Sequence, residues 1–293
     1  MRDDPFVTHR SLLFTVAYEM LGSAADAEDV VQETWLRWAG IGDTARGEVR
    51  DPRAYLVRMV TRQALNRLRT LSRQREDYIG EWLPEPLLTS PDVAEDVELA
   101  ESVSIAMLTV LETLGPAERA VFVLRDVFEV PYDEISEAVG KSSAAVRQIA
   151  HRARRHVAAR RPRMEVSRTE QQQVLERFLA ALTTGDVQAL LDVLAPEVVL
   201  VSDGGGLAPA ARKPIEGAER FVAILVAGLT KSAVKLTGTP VWLNGAPGAR
   251  IEIDGELAAA VSLTVDHGRI TRIYGISNPH KLARLDVEAT LAR

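Results

Sequence analysis

Residues 132–157 read Tyr132-Asp133-Glu134-Ile135-Ser136-Glu137-Ala138-Val139-Gly140-Lys141-Ser142-Ser143-Ala144-Ala145-Val146-Arg147-Gln148-Ile149-Ala150-His151-Arg152-Ala153-Arg154-Arg155-His156-Val157. A helix over Tyr132–Val139, a turn at Gly140-Lys141 and a second helix from Ser142 or Ser143 have helix-turn-helix proportions. In the second helix Val146, Ile149, Ala150, Ala153 and Val157 share an inner side, and Arg147, His151, Arg154 and Arg155 fall mainly outside. The small residues Ser143, Ala144 and Ala145 let that end approach a major groove closely. Arg147 and Gln148 present paired hydrogen-bonding groups to base edges. Arg154, Arg155, Arg160 and Arg161 suit phosphates. The competing reading, a solvated surface helix, normally mixes Arg with Glu, and this helix does not.

Charge is segregated along the rest of the chain. Net charge is −6, yet Arg53 to Arg75 holds seven Arg and no acid, and Lys141 to Arg163 holds one Lys, seven Arg and no acid. Between them, Glu76 to Glu101 carries nine acids and no Lys or Arg. Two acid-free basic blocks suggest two phosphate-docking surfaces, with the acidic stretch separating or partly neutralising them. On the first block Arg58, Arg62, Asn66 and Arg69 share one helical face. Taken alone, that face fits solvated surface as well as it fits nucleic acid.

At 293 residues the chain calls for two or three domains. It has no Cys, which removes disulfides and thiolate metal sites and suits a reducing cytoplasm. There is no apolar run long enough to span a membrane, no signal-peptide pattern and no nucleotide-binding loop. His9, His151, His156, His267 and His280 are scattered, so neither a metal site nor a cofactor is expected.

Helical spacing predicts helices over residues 6–21, from 24 to 38, and from 53 to about 73, with Gly40, Gly42 and Gly47 in a loop. Further helices are predicted at 93–112, 117–127, 132–139 and 143–159. Trp82-Leu83-Pro84-Glu85-Pro86-Leu87 cannot continue a helix and reads as a linker with one sticky apolar segment. From Glu170 two helices, a strand at 198–201, a helix around 218–229 and three strand-like runs (235–243, 249–265 in two pieces, 269–277) read as short helices followed by an antiparallel sheet. That is an α+β domain.

Asp26-Ala27-Glu28-Asp29-Val30-Val31-Gln32-Glu33-Thr34-Trp35 resembles the polymerase-binding helix of sigma factors of the extracytoplasmic-function type. Asp51-Pro52-Arg53-Ala54-Tyr55-Leu56 and the Arg119-to-Arg155 segment follow in the family's order, so the resemblance covers residues 5–160. It implies that Asp26, Asp29, Gln32, Glu33 and Trp35 face a clamp helix of core RNA polymerase. It further implies that residues 40–69, including Arg58, Arg62, Asn66 and Arg69, recognise and open the −10 promoter element, while the helix-turn-helix reads the −35 element.

The linker Trp82-Leu83-Pro84-Glu85-Pro86-Leu87, with Asp203-Gly204-Gly205-Gly206 and Asn278-Pro279-His280-Lys281-Leu282, resembles the subgroup carrying a C-terminal SnoaL-like domain. Leu207 follows the glycines where that subgroup often has Lys; the nearby basic pair is Arg212-Lys213. The fold implied is a sigma-2 helical bundle, a sigma-4 helix-turn-helix and an α+β, NTF2-like cone. The domains are expected at 1–75, 101–163 and 168–293, with an acidic linker at 76–100.

In this subgroup the appended domain regulates in place of a separate anti-sigma factor, so contacts of Trp82, Leu83 and their neighbours with Asp203, the glycines, Asn278, Pro279, Lys281 and Leu282 are expected. Local packing of Trp82 against its own helices is the alternative. No small-molecule ligand is named by the sequence. Two other functions stay open: a ligand-sensing helix-turn-helix regulator, and a DNA-binding protein with a cyclase- or isomerase-like domain. Against the latter, Asp203 reads as a turn cap, Asp254-Gly255 and Asp266-His267-Gly268 read as hairpin turns, and no Asp–His pair lies within a strand, so no catalytic residue is assigned.

Overall fold

The computed structural model describes residues 4–75, 77–161, 166–232 and 235–293. The helix α1 (Pro5–Leu21) starts where the Asp4 carboxylate accepts from Phe6 N at 2.8 Å and stops at Gly22, which adopts φ 66°. Ser23 caps α2 (Ala24–Ala39) through Asp26 N, and Pro52 opens the long α4 (Pro52–Arg75). Between them the expected Gly-bearing loop contains a one-turn helix, α3 (Asp43–Gly47).

The helix expected over 93–112 is broken. A 3₁₀ turn (Pro91–Ala94) precedes α5 (Val97–Val103) and α6 (Ile105–Glu112). Ser104 is extended (ψ 145°), and its hydroxyl caps Met107 N, so a strong N-cap residue restarts the helix where apolar spacing alone runs straight through. Next come α7 (Pro116–Phe122) with a π-turn over Val123–Val127, then α8 (Tyr132–Val139) and α9 (Ser143–Ala158). The five inner residues expected for α9 are all buried. One continuous apolar core joins Leu13, Val16 and Met20 of α1 to Leu108 and Leu111 of α6 and to Val121, Ile149 and Ala153 beyond. The two helical halves are therefore packed together.

The remaining elements are α10 (Arg168–Thr184), α11 (Val187–Val193), β1 (Leu194–Asp203), β2 (Ile215–Glu216), α12 (Ala218–Ser232), β3 (Leu236–Leu243), β4 (Ala246–Ile253), β5 (Glu256–Asp266), β6 (Arg269–Ile276) and α13 (Pro279–Leu282). Sheet order is β2-β1-β6-β5-β4-β3. The expected antiparallel sheet is mixed, because β1 runs parallel to β6. The chain travels through α12 and the β3–β4–β5 meander before returning beside β1, a long crossover that permits parallel pairing. The α10–α12 helices cover one face around Phe178, Leu194, Phe221 and Ile273. The other face buries Val201, Leu243, Ala260, Tyr274 and Ile276 against Leu83 of the linker and Ile105 and Ala106 of α6. That second face makes the C-terminal domain part of the helical assembly.

Candidate functional site

The outer side of α9 is built as its spacing requires. Arg147, Gln148, His151, Arg154 and Arg155 are exposed, as is Ala144, with Ser143 half-buried at the start. Several of these cations already have partners. Arg154 Nε donates to Asp126 at 2.6 Å and Arg154 Nη2 to Tyr132 Oη at 3.4 Å. The Arg147 guanidinium lies 5.5 Å from the centre of the same Tyr132 ring. Arg161 is ion-paired with Glu101, so one acid of the Glu76-to-Glu101 stretch does sit on a basic block.

On α4, Arg62, Asn66 and Arg69 are exposed, while Arg58 is half-buried. Arg58 is ion-paired with Glu137 of α8, and Arg62 Nη2 donates to the Glu137 carbonyl at 2.8 Å. The basic face of the first half therefore rests on the first helix of the helix-turn-helix. Arg75 departs from the phosphate-facing role of its block: it points inward, paired with Glu112 and donating to Leu21 O at 2.7 Å.

On α2, Asp29, Gln32 and Glu33 are exposed. Asp26, expected beside them, is largely covered and ion-paired with Arg67 at 2.5 Å. Trp35 is half-buried with its ring 5.0 Å from that of Phe6. Phe6, Val7, Arg10, Glu28, Val31, Gln32 and Trp35 line a shallow groove between α1 and α2, and Val7 there is an exposed hydrophobic.

Asp203, read from sequence as a turn cap, is fully buried and is the centre of a cluster. Its Oδ1 accepts from Tyr78 Oη at 2.7 Å and Gly205 N at 3.0 Å, and its Oδ2 accepts from Leu83 N at 2.8 Å and Lys281 Nζ at 2.6 Å. Lys281 also donates to Leu83 O, and Asn278 Nδ2 donates to Tyr78 Oη at 2.8 Å. Burial lowers the Lys281 ammonium to about 8, against the opposing pull of Asp203. The expected linker residues, the Gly204–Gly206 loop and the Asn278–Leu282 segment thus meet at one carboxylate. Gly205, at φ 59°, has no room for a side chain, since a Cβ there would lie 2.2 Å from Asn278 Nδ2. Pro279 is exposed at the start of α13.

Trp82 satisfies both readings offered for it. Its ring stacks under the Arg75 guanidinium at 3.6 Å, faces Lys281 Nζ at 4.1 Å, and reaches Gly22 of the first half. Glu85 is buried and caps α2 from outside the helix: its Oε2 accepts from Ala24 N at 2.8 Å, Ala25 N at 3.3 Å and Ser23 Oγ at 3.3 Å. Pro84, Pro86 and Leu87 are buried around it.

Sequence reasoning missed Asn244. It occupies the β3–β4 turn at φ 53° and is fully buried. Its Nδ2 donates to Tyr18 Oη (2.7 Å) and Val103 O (2.8 Å), and its Oδ1 accepts from Leu87 N (2.9 Å). One signal existed: Asn244-Gly245 between two strand-like runs is a type I′ hairpin pair. That signal marks a turn and says nothing of what the turn touches. Among the described residues no cluster of three or more His, Cys, Asp or Glu forms a metal site, and no helix is long and apolar enough to cross a membrane.

Comparison with known proteins agrees with this architecture. Residues 6–74 match the Sigma-70 region 2 family, and residues 104–157 match Sigma-70 region 4. The chain is 36% identical to the ECF RNA polymerase sigma factor SigJ of Mycobacterium tuberculosis, over 96% of this chain and 93% of that protein. It is 33% identical to the probable ECF RNA polymerase sigma factor SigI of the same species, over 96% and 94%. The crystal structure of the M. tuberculosis extracytoplasmic function sigma factor SigJ superposes with a TM-score of 0.74 at 34% identity, covering 95% of this chain and 97% of that one. That likeness runs through the C-terminal domain, and the reading as a ligand-sensing helix-turn-helix regulator gives way to it. A region 2 bundle, a region 4 helix-turn-helix and a full-length match to such proteins place the chain in one family: it is an extracytoplasmic-function RNA polymerase sigma factor, directing transcription initiation.

Proposed function

We propose that the C-terminal domain, SnoaL-like by its sequence motifs, controls this sigma factor in cis by holding its two helical halves together. The observation that carries the reading is the side chain of Asn244. It bonds at once to α1 of the first half, to the linker, and to the last turn of α5 leading into the second half. Asp203 adds the linker ties at Tyr78 and Leu83. In this closed arrangement Glu137 occupies Arg58 and Arg62, the residues assigned to the −10 element, so the α4 face and the helix-turn-helix do not engage a promoter together. Closure through a fused domain supplies the contact that a separate anti-sigma factor would otherwise supply.

Asp29, Gln32, Glu33 and Trp35 with the α1–α2 groove form the polymerase-facing surface in this reading, and Asp26 joins them once Arg67 releases it. Arg147, Gln148 and His151 face bases, and Arg155 faces phosphates together with Arg154 once Arg154 leaves Asp126 and Tyr132. We further infer that the C-terminal domain performs no chemistry. Both oxygens of Asp203, a fully buried carboxylate of this domain, are taken up by donors of the same chain, so Asp203 is not free to act as a base.

Run-off transcription with purified core polymerase tests this. The full chain is compared with a chain ending at Arg161 and with an Asn244→Ala variant. Promoter-specific transcripts that increase on loss of the domain or of the Asn244 contacts support cis control. Transcripts unchanged in both overturn it while leaving the sigma assignment intact.

A further inference from the structure

The seam between the two helical halves buries a carboxyl that no cation bonds. Glu19 of α1 is fully buried; its Oε1 lies 2.8 Å from Ser102 Oγ of α5, and its Oε2 has no hydrogen-bond partner. Ser102 Oγ also lies 2.9 Å from the carbonyl oxygen of Leu99. A serine hydroxyl has one proton to donate, and a carbonyl can only accept. That one proton cannot serve both acceptors, so the buried Glu19 carboxyl receives at most one hydrogen bond, at Oε1, and none at Oε2, too little to hold a charge away from water.

The surrounding charged groups lead to the same conclusion. Arg119 of α7 is 1% exposed, donates Nε to the backbone carbonyl of Glu19 at 2.9 Å and Nη1 to Glu112 of α6 at 2.5 Å, and leaves Nη2 without a partner. Arg75 of α4 also pairs with Glu112. Tyr18, beside Glu19 on α1, donates to the carbonyl of linker Glu85 at 2.6 Å, and the Glu85 carboxylate caps α2. Both guanidiniums thus bond the Glu112 carboxylate, and neither bonds that of Glu19. A buried charge without a bonded partner is expelled by taking up a proton.

We infer that the two helical halves close around an un-ionised Glu19, so that their separation releases one proton and is favoured by rising pH. Burial pushes the Glu19 carboxyl up to about 8 from 4.5, against smaller opposing effects of Ser102 and Arg119. In the separated chain Glu19 meets water and ionises near its ordinary value. Between those two values the closed form holds more protons than the separated form. Closure is therefore at full strength below about 4.5, weakens as pH rises toward about 8, and does not change further above it through this group. One proton corresponds to a separation constant that rises up to about tenfold per pH unit inside the window. The inference concerns separation itself, so it stands or fails independently of which faces touch promoter or polymerase.

Two measurements on the full chain decide it. Infrared spectroscopy at neutral pH reads the C=O stretch of a protonated carboxyl. The expected band is present in the wild type, shifted in Ser102→Ala, absent in Glu19→Gln, and lost as pH is raised past about 8. A wild-type spectrum without a protonated-carboxyl band at neutral pH overturns the inference. Should Glu19→Gln not fold, the Ser102→Ala shift still assigns the band and its titration decides.

The chain has no cysteine, so Ala39→Cys and Lys141→Cys supply unique positions for a fluorescent donor and acceptor. With subsaturating core polymerase, the ratio of separated to closed chain is read by energy transfer from mildly acidic to mildly alkaline pH. It should rise by up to about tenfold per pH unit relative to the same ratio in Glu19→Gln. Parallel slopes in the two proteins overturn it.

Discussion

Asn244 and Tyr18 stand 226 positions apart in the chain and meet at 2.7 Å in the folded protein, the amide of Asn244 donating to the tyrosine oxygen. Tyr18 in turn donates its hydroxyl hydrogen bond to the Glu85 carbonyl at 2.6 Å, so turn, first helix and linker form a hydrogen-bonded chain with no exposed member. Burial and the neighbouring Glu85 carboxylate hold the Tyr18 phenol neutral far above ordinary pH, so it remains a donor throughout the working range.

Asn244→Ala removes both amide donors and one acceptor from a dry site and places a Cβ-bearing residue without a compensating side chain at φ 53°. Unpaired buried groups cost about 1–3 kcal/mol each, but they share one site, so about 2–4 kcal/mol is the expected loss. Urea unfolding monitored by circular dichroism checks the magnitude. Proteolysis within residues 78–90 should accelerate in parallel; a variant as stable as wild type would remove Asn244 from its central place.

The helix-turn-helix was legible because its buried residues repeat at helical spacing, and the structure buries Val146, Ile149, Ala150, Ala153 and Val157 as that spacing requires. Asp203, Lys281, Asn278 and Leu83 were legible as partners through the subgroup's motifs, although Asp203 also looked like a turn cap. Tyr18, Glu19, Tyr78, Arg119 and Asn244 were not. Each is one polar residue in an otherwise ordinary local pattern, and its importance comes from a neighbour roughly 60 to 230 residues away, a separation no local periodicity encodes. Arg75 could only be counted with its basic block for a related reason: a run of Arg reveals charge, and only the fold shows that Glu112 and Trp82 wait on the inner side.

Gly22 and Trp82 should behave as a coupled pair. Gly22 adopts φ 66°, and a Cβ there would lie 2.6 Å from Trp82 Cη2. Gly22→Ala therefore adds left-handed strain of about 1–2 kcal/mol to a collision with a ring held between two cations. Trp82→Leu in the same chain relieves the collision and leaves only the strain. A double-mutant cycle by denaturant unfolding should show the pair less damaging than the sum of the single changes; strict additivity would mean the ring moves aside freely.

Glu137→Gln releases Arg58 from its ion pair while leaving the backbone acceptor of Arg62 in place. The pair is partly exposed, with side chains 30% and 59% accessible, so the expected effect is small, about 0.2–1 kcal/mol. Binding of the free chain to promoter duplex, followed by fluorescence anisotropy, should tighten by up to about fivefold at low salt. The gain should shrink as salt rises, because both the lost ion pair and the gained phosphate contact are screened. Equal affinity at low salt would show that Glu137 does not compete with DNA for Arg58.

Asp203→Asn tests the linker cluster, and its cost should fall on Lys281. The ammonium is 11% exposed and loses its carboxylate partner, although Leu83 O remains as an acceptor. Removing one member of a buried pair typically costs about 3–5 kcal/mol, much of it from the charge left behind. Lys281→Met in the same chain removes that stranded charge and keeps the apolar stem against Trp82, so the double variant should recover a large part of the loss. Both versions also test direction: Asp203→Asn weakens the ties of Tyr78 and Leu83 N to the C-terminal domain, leaving Asn278 and Lys281 as the remaining contacts, so core polymerase should bind it more tightly than the wild type even though the chain is less stable. Stability and polymerase affinity moving in opposite directions is the result expected of a clamp. Both falling together would mean that Asp203 supports the fold alone.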